Sequence, residues 1–416
     1  SEGFSPNAVT YTCILKACGN IEAIDKGTRI HEAIVSQGYL EKDSVLATAL
    51  VDMYAKCGVL CKAQQILEAS PVQDPAPWNA LIAGYVQQGH CHKALDCFEK
   101  MQMKGLSPHA ITLICILKAC GSIGAIAKGK QIHDLFLTLG LLDKDMVLGS
   151  SLMDMYAKCG MLTKAKEVLD LLPVKNVVSW SSLITGYIQQ GKAHEALNCF
   201  EQMQCEGIFA DAVALVCTLK ACGMLDILHK GKAIHAQIDR EGLVEREILI
   251  GNALVDLYAK CGAPQKAHEV FDKLIVQDEV SWTALIAGYA RHGRDEIVMD
   301  LFDKMVEEGL EPNHITYTIV LNVCSHSGLL EKGQMYFEKM SIDHGIVATP
   351  EHYTCMVDLF GRAGLFENVM AIISKMHVYD HFPVWASLLG SCKKWGNVEL
   401  AGLAFKHMIR LDKKCE

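Results

Sequence analysis

The sequence has little of what most enzymes and membrane proteins display. Its 416 residues include only 10 prolines and 7% aromatic residues, and no apolar run approaches the roughly 18 residues that a membrane-spanning helix needs. There is no C-x-x-C, no H-x-E, no H-E-x-x-H and no glycine-rich phosphate loop. Alternating β-branched runs are also scarce, so almost no sheet is expected. The sequence therefore favours an all-α chain without a membrane partner, a catalytic residue, a metal or a cofactor.

The 18 cysteines and 17 histidines do not follow a metal-ligand pattern. Histidines His31, His133 and His235 lie in separate repeats, where packed or hydrogen-bonded side chains are expected rather than ligands. Cysteine often behaves as a small buried hydrophobe, and structural, reduced thiols are therefore expected. The cysteines that recur at two repeat positions are Cys18, Cys120, Cys222 and Cys324 in one set and Cys57, Cys159 and Cys261 in the other.

The sequence has a period of 102 residues instead. The stretch ATALVDMYAKCGVLCKA at residues 47–63 returns in related form at 149–165 and 251–267. A fixed period of this kind indicates a stacked repeat architecture. Each period divides into three repeats of 36, 31 and 35 residues, which carry TYTCILKACG, LVDMYAKCG and WNALIAGYVQQG. The nine repeats of residues 8–313 are 8–43, 44–74, 75–109, 110–145, 146–176, 177–211, 212–247, 248–278 and 279–313.

The remaining segments fit the same scheme. Residues 1–7 match the tail of a preceding repeat of the third type, so the chain is expected to start inside a repeat. Residues 314–349 and 350–381 are variants of the first and second types, and residues 382–416 form a last, helical unit. Twelve repeats are therefore predicted from residue 8 onwards.

Each repeat is predicted to form two helices joined by a tight turn. In residues 44–74, apolar residues recur at three- and four-residue steps from Val45 to Tyr54, and Gly58 then supplies the left-handed conformation that ends a helix. Ala63 is small where two helices would cross closely. A single repeat cannot bury such stripes, but stacked neighbours can. We therefore expect an all-α, right-handed superhelical solenoid of stacked helix–turn–helix repeats.

These repeats resemble the pentatricopeptide repeats of plant organellar proteins, in the PLS subclass where P, L and S repeats alternate. LKACG resembles the L signature, DMYAKCG the S signature and SWSSLITGYIQQG the P signature. HYTCMVDLFGRAG at 352–364 resembles the terminal S repeat, and VWASLLGSCKKWGNVELA at 384–401 resembles the first C-terminal extension motif. The resemblance covers essentially the whole chain and implies three L-S-P triplets over 8–313.

The resemblance implies sequence-specific binding of single-stranded RNA, one base per repeat. Proteins of this subclass mostly specify sites of C-to-U RNA editing in chloroplasts or mitochondria, so either organelle is an expected location. The second extension motif and the deaminase of the complete family are not in this sequence. A deaminase or another editing-complex protein is therefore the implied partner of the extension motif, and catalysis is expected to come from it or from residues beyond this sequence.

In the family, the fifth and last residues of a repeat flank one base, and the second residue packs on the base faces. The implied base-stacking residues are Val45, Val147, Val178, Leu249 and Val280. The implied base-reading pairs are Thr48 with Asp74 for G, Asn79 with His109 for a pyrimidine, Ser150 with Asn176 for A, Ser181 with Asp211 for G, Asn252 with Asp278 for U, and Thr283 with Asn313 for A. With the chain parallel to the RNA, these pairs imply 5′-G-Y-N-A-G-N-U-A-3′.

The other repeats carry less information. Ile114 and Val216 in L repeats cannot hydrogen-bond a base edge, so tolerance is expected at those positions. For any single repeat, helix capping and turn formation explain the fifth and last residues about as well as base reading does. The pairs that stay unassigned, or weakly assigned in the first case, are Thr12 with Asp43, Thr318 with Thr349 and Thr354 with His381.

The charge balance leaves a second function open. The formal net charge is −9, whereas nucleic-acid binders usually show a basic patch. Lys56, Lys158 and Lys260 recur at one place in the S repeats, where stacking would align them as a row for RNA phosphates; ordinary solvated lysines explain them equally well. The alternative is a helical-repeat scaffold that binds a protein partner, which does not predict paired Thr, Ser, Asn and Asp at the base-reading places.

Overall fold

The computed structural model describes residues 6–39, 44–69, 74–140, 145–244, 246–376 and 381–412. Within these ranges the chain forms 24 helices and no strand, which confirms the all-α prediction. The chain divides into two compact units, Ser1–Ala214 and Leu215–Glu416. The division falls inside one helix, α13 (Ala212–Met224). Most of the predicted tail at residues 1–7, and Asp43, lie outside the described residues.

Two helices form each predicted repeat, as the helix bounds show. The N-terminal unit contains α1 (Ala8–Asn20), α2 (Ile24–Ser36), α3 (Ser44–Lys56), α4 (Leu60–Ala69), α5 (Pro75–Gln87), α6 (Cys91–Met103), α7 (Ala110–Ile123), α8 (Ile126–Leu139), α9 (Met146–Lys158), α10 (Leu162–Leu171), α11 (Val177–Gln189) and α12 (Ala193–Cys205).

The C-terminal unit continues in the same way after α13. It contains α14 (Leu228–Glu241), α15 (Ile248–Lys260), α16 (Pro264–Asp272), α17 (Glu279–Arg291), α18 (Asp295–Glu307), α19 (His314–Ser327), α20 (Leu330–Ile342), α21 (Pro350–Arg362), α22 (Phe366–Ser374), α23 (Phe382–Trp395) and α24 (Val398–Asp412).

Both units are two-layered stacks. Each odd-numbered helix, the first helix of its repeat, contacts the next odd-numbered helix, from α1 to α11 in the N-terminal unit and from α15 to α23 in the C-terminal unit. The even-numbered helices form the second layer: α2 to α10 and α14 to α20 each pack against the odd-numbered helix that follows. The predicted stacking of helix–turn–helix repeats is therefore confirmed within each unit.

The first-helix layer packs tightly because small residues stand where its helices cross. A methyl group on Gly288 of α17 would lie 2.8 Å from Cβ and 3.1 Å from Cα of Ala259 on α15. Gly84 of α5 has the same relation to Ala55 of α3, at 2.8 Å from its Cβ. The two helices can come this close only while one residue of each contact lacks a side chain.

We expect Gly288→Ala to destabilise the chain, although alanine is the better helix former. In an open helix this substitution stabilises by about 0.5–1 kcal/mol, but here the added methyl group would overpack the crossing at a cost of about 1–3 kcal/mol. Gly390→Ala on α23 is the matched control, because nothing lies within 4 Å of the new methyl group. Thermal unfolding followed by circular dichroism should show a lower Tm for the first variant only; equal Tm changes would contradict the packing.

The recurring cysteines are structural thiols, as predicted. No disulfide bond joins any of the 17 cysteines within the described ranges. The thiol of Cys159 lies 3.7 Å from the backbone carbonyl oxygen of Cys120, and the thiol of Cys261 lies 3.8 Å from the backbone carbonyl oxygen of Cys222. Burial raises the pKa of Cys120 and of Cys222 to about 11, so both thiols stay protonated near neutral pH.

The recurring histidines hydrogen-bond to the repeat that follows, which confirms the prediction of packed or hydrogen-bonded side chains. Nδ1 of His31, His133 and His235 lies 3.0, 2.9 and 2.8 Å from the hydroxyl oxygen of Tyr54, Tyr156 and Tyr258 respectively. Nε2 of His133 is buried without a hydrogen-bond partner. Burial is the main cause that lowers the pKa of His133, because a protonated ring would be poorly solvated there.

The lowered pKa of His133 makes stability depend on pH. In the unfolded chain this histidine has its usual pKa of 6.5 and binds a proton more readily than in the folded chain. The free energy of unfolding should therefore have its full value above about pH 6.5 and should decrease as the pH falls below it. His133→Gln should reduce the drop in Tm between about pH 7.5 and about pH 5.5. His92→Gln, at an exposed position, should keep the wild-type drop, and an unchanged drop in His133→Gln would refute the assignment.

Candidate nucleic-acid interface

A row of exposed aliphatic side chains marks the first-helix layer. Every residue that the sequence predicted to stack on bases stands in the first turn of its helix with 57% to 63% of its side chain exposed: Val45, Val147 and Val178 in the N-terminal unit, Leu249 and Val280 in the C-terminal unit. Single exposed aliphatic residues are ordinary, but a repeated row of them is typical of a binding surface.

The row is longer than the sequence prediction. The L repeats place large apolar residues at the same second position, with 50% to 69% exposure, and these were not predicted as contacts: Val9, Ile111, Val213 and Ile315. The signal that could have found them is their place in the repeat. Their chemistry alone does not separate them from core residues.

Two of the predicted base-reading pairs are in direct contact. Ser181 Oγ donates a hydrogen bond of 2.7 Å to Asp211 Oδ1. Asn252 Nδ2 donates to both carboxylate oxygens of Asp278, at 3.0 and 2.9 Å. Each aspartate also accepts from a backbone N–H of the following helix, Ala214 N for Asp211 and Ser281 N for Asp278, at 2.8 Å in both cases. Helix capping and side-chain pairing therefore occur together at these residues.

Two further pairs are joined through a third side chain. Ser179 lies between Ser150 and Asn176, with Oγ 3.0 Å from Ser150 Oγ and 3.0 Å from Asn176 Oδ1. Thr316 has the same role in the C-terminal unit, with Oγ1 2.8 Å from Thr283 Oγ1 and 3.1 Å from Asn313 Oδ1. The bridging residue is the third residue of the following repeat, and the sequence prediction missed it.

The first two pairs in the chain behave differently. Asp74 caps α5 through Ala76 N at 2.9 Å, and Thr48 is half-buried on α3. Asn79 accepts a hydrogen bond from the Thr112 hydroxyl, whereas His109 is exposed and makes no capping bond to α7. The structure therefore joins Asn79 to the following repeat through Thr112.

Fifth-place threonines outside the assigned pairs bond to their own helix. The hydroxyls of Thr12, Thr318 and Thr354 donate to the carbonyl oxygens of Ala8, His314 and Pro350, four residues earlier, at 2.8 to 2.9 Å. Thr349, the partner suggested for Thr318, instead forms a capping box with His352. The assigned fifth-place residues Ser150, Ser181, Asn252 and Thr283 differ, because each contacts a side chain outside its own helix.

The predicted phosphate-binding lysines each have an acidic partner. Lys56, Lys158 and Lys260 form ion pairs of 2.8, 2.7 and 2.6 Å with the aspartate one turn earlier: Asp52, Asp154 and Asp256. A phosphate at these places would share the ammonium group with that carboxylate. Phosphate binding by these lysines stays a prediction.

Exposed aliphatic residues, a predicted base-reading pair and one of the lysine–aspartate ion pairs meet in one cleft of the N-terminal unit. Val178 and Val213 line it together with the bonded pair Ser181 and Asp211, and the Asp154–Lys158 ion pair is also part of its lining. The cleft has a volume of about 230 Å³. It combines aliphatic side chains for stacking with a hydroxyl–carboxylate pair for hydrogen bonding, which suits a flat ligand with polar edges.

No group of three or more His, Cys, Asp or Glu side chains that could hold a metal ion is found among the described residues. No helix in the described ranges is both long enough and apolar enough to cross a membrane.

Comparisons with known proteins agree with this architecture. The family described as "PPR repeat family" matches residues 74–122, 175–223 and 277–326. A second family, described as "PPR repeat", matches residues 150–177, 252–278, 315–343 and 351–380.

Two Arabidopsis thaliana relatives are similar over the whole chain. A putative mitochondrial pentatricopeptide repeat-containing protein is 35% identical over 99% of this chain, and the chloroplastic pentatricopeptide repeat-containing protein CRR2 is 36% identical over 100% of it. The chain spans 66% and 64% of the length of these curated relatives.

A solved structure has the same fold. The pentatricopeptide repeat protein PPR10 from maize, solved in complex with an 18-nt psaJ RNA element, aligns with a TM-score of 0.76 at 20% identity, over 90% of this chain and 56% of that chain. The family matches, together with the sequence similarity to the Arabidopsis relatives, identify the chain as a member of the pentatricopeptide repeat family.

Proposed function

We propose that this chain binds single-stranded RNA sequence-specifically and reads one base per repeat. The observation that carries the proposal is the recurrence of one arrangement: an exposed aliphatic residue in the first turn of a helix, and a fifth-place and last-place pair joined directly or through one hydroxyl. A PPR10 structure of the same fold contains RNA, which supports the choice of ligand. A row that repeats along the chain suits a polymer whose units also repeat.

Each base would lie between two second-place side chains and present its edge to one pair. In the cleft described above, Val178 and Val213 would contact the two faces, because aliphatic contact tolerates any base. Ser181 and Asp211 would face the edge. Guanine suits this pair, because its N1–H and its amino group are adjacent donors and a carboxylate only accepts. The same chemistry assigns G to Thr48 with Asp74.

The orientation of the Asn252 carboxamide supports the assignment of U. Asp278 can only accept hydrogen bonds, so it holds the amide nitrogen of Asn252 and turns Oδ1 away. That oxygen is buried and has no partner. Uracil would supply its N3–H to this acceptor, whereas cytosine has an unprotonated N3 at the same place. Satisfying a buried acceptor is a strong source of discrimination.

Adenine suits the two pairs that end in asparagine. Adenine presents a donor, the amino group, beside an acceptor, N1, and a carboxamide offers both complementary groups. Asn176 and Asn313 are each held through Oδ1 by a backbone N–H and a hydroxyl of the next repeat. With the L repeats tolerant, the chain would read 5′-G-Y-N-A-G-N-U-A-3′.

The biological role proposed for the whole protein is to specify a C-to-U editing site in an organellar transcript. The order of long, short and intermediate repeats supports the PLS subclass, and the relatives named above are mitochondrial or chloroplastic. Residues 382–416 would then act as the extension motif that recruits a deaminase or another editing-complex protein. In this proposal the chain selects the site and supplies no catalytic group.

The first test is a binding titration at near-physiological salt. One RNA carries G-Y-N-A-G-N-U-A, and the other has its A and G positions exchanged. We expect the first RNA to bind at least tenfold more tightly, since each correct pair contributes roughly 1–3 kcal/mol. Equal binding to both RNAs would refute the base assignments, and no binding to either would favour the protein-binding scaffold.

A second test changes one pair. Asn252→Ser recreates beside Asp278 the serine–aspartate pair of Ser181 and Asp211, so preference at the seventh base should move from U towards G by about tenfold. RNAs that differ only at that base would be titrated against both proteins. Thr318→Ser is the control, because Thr318 bonds its own helix, and it should leave the ratio unchanged. An unaltered U-to-G ratio in Asn252→Ser would reject the pair.

A further inference from the structure

The third residue of several repeats is a hydroxyl that is almost completely buried. Thr112, Ser179 and Thr316 have at most 1% of their side chains exposed. Each is hydrogen-bonded to the fifth-place residue of the preceding repeat: Thr112 to Asn79, Ser179 to Ser150 and Thr316 to Thr283. Each is therefore a buried hydrogen-bond partner of a side chain that the proposed function assigns to base reading.

The two fifth-place asparagines are held in opposite ways. Asn252 is bound through its amide nitrogen by Asp278, and its oxygen Oδ1 has no partner. Asn79 is bound through its oxygen Oδ1 by Thr112. Thr112 therefore holds the carboxamide of Asn79 by its acceptor oxygen and makes no hydrogen bond with the two N–H donors on Nδ2.

The opposite orientations of Asn79 and Asn252 follow from the residue that ends each repeat. In four repeats the last-place side chain caps the next helix and also contacts the fifth residue or its bridging hydroxyl: these residues are Asn176, Asp211, Asp278 and Asn313. His109 makes no capping bond, so the hydroxyl of Thr112 has no last-place carboxylate or carboxamide to donate to. It donates to Asn79 instead. Thr112 thereby takes over the orienting role that Asp278 has for Asn252, with the opposite polarity.

We propose that Thr112 is a specificity-determining residue that makes the Asn79 repeat select cytosine over uracil. Cytosine presents two adjacent acceptors, N3 and O2, to the N–H donors of Asn79. Uracil presents N3–H instead, and two donors would then face each other without a partner, which costs affinity. The inference rests on the proposed function, and it replaces the unspecified pyrimidine at the second position of the RNA with C.

The experiment measures binding of the whole chain to two RNAs that differ only in having C or U at the second position. The wild-type chain should bind the C form about tenfold more tightly. Thr112→Val removes the hydroxyl and keeps the shape, so the carboxamide of Asn79 can turn and the ratio should fall to about one. Thr112→Ser keeps the donor and should retain the preference for C.

Thr316→Val is the matched control, because it removes an equally buried hydroxyl from another repeat. It should leave the C-to-U ratio at the second position unchanged, whereas a general loosening of the fold would change it. Thermal unfolding of each variant separates loss of folding from loss of selectivity, and a ratio between two RNAs on the same protein is insensitive to the folded fraction.

A third RNA, with C in place of U at the seventh position, separates the two levels of the proposal. If the wild-type chain discriminates there through Asn252 but binds C and U equally at the second position, or prefers U, the role of Thr112 is refuted and base reading stands. If it discriminates at neither position, base reading itself fails. A preference for C that survives in Thr112→Val would also refute the orienting role.

Discussion

In the two directly bonded pairs, the aspartate that ends the repeat hydrogen-bonds to two partners at once. Asp211 accepts the N–H of Ala214 at the start of the next helix and the hydroxyl of Ser181 on its own repeat. Asp278 does the same for Ser281 and Asn252. Helix capping is thus coupled to the orientation of the fifth-place side chain. A ligand that binds there meets polar groups already held in place, so little side-chain entropy remains to be lost on binding.

This double contact depends on the close stacking of the first helices. Because glycine and alanine face each other at crossings such as Gly288 with Ala259, successive first helices lie near enough for one short side chain to reach both. Longer residues at the crossings would separate the fifth place from the next helix. The packing of the apolar layer therefore determines the polar geometry on its surface.

The electrostatics of the surface are compatible with an acidic RNA binder. Lys56, Lys158 and Lys260 are each paired with an aspartate. They therefore do not form a strongly basic patch on a chain whose formal net charge is −9. Stacking on aliphatic residues and hydrogen bonds to base edges do not require a strongly basic surface. A chain built in this way would gain selectivity from bases and comparatively little affinity from the RNA backbone.

Local sequence was sufficient to predict the period, the 24 helices in the described ranges, the structural thiols and the places of four fifth-place and last-place pairs that hydrogen bonds join. Turn glycines, apolar stripes and repeat lengths act within about 35 residues, so they can be read without a fold. Tertiary structure decided what those residues contact. Asn79 and Asn252 are the same residue type at the same place in their repeats, yet their carboxamides are held with opposite polarity. The Thr112 hydroxyl, 33 residues further along the chain, donates to the oxygen of Asn79, whereas the Asp278 carboxylate, 26 residues further along, accepts from the nitrogen of Asn252. The exposure of Val9, Ile111, Val213 and Ile315, and the pairing of the lysines with aspartates, likewise follow from which helix faces are covered by neighbours. Hydrogen-bond direction and exposure are properties of elements in contact, and the pattern of residue types along the chain does not specify them.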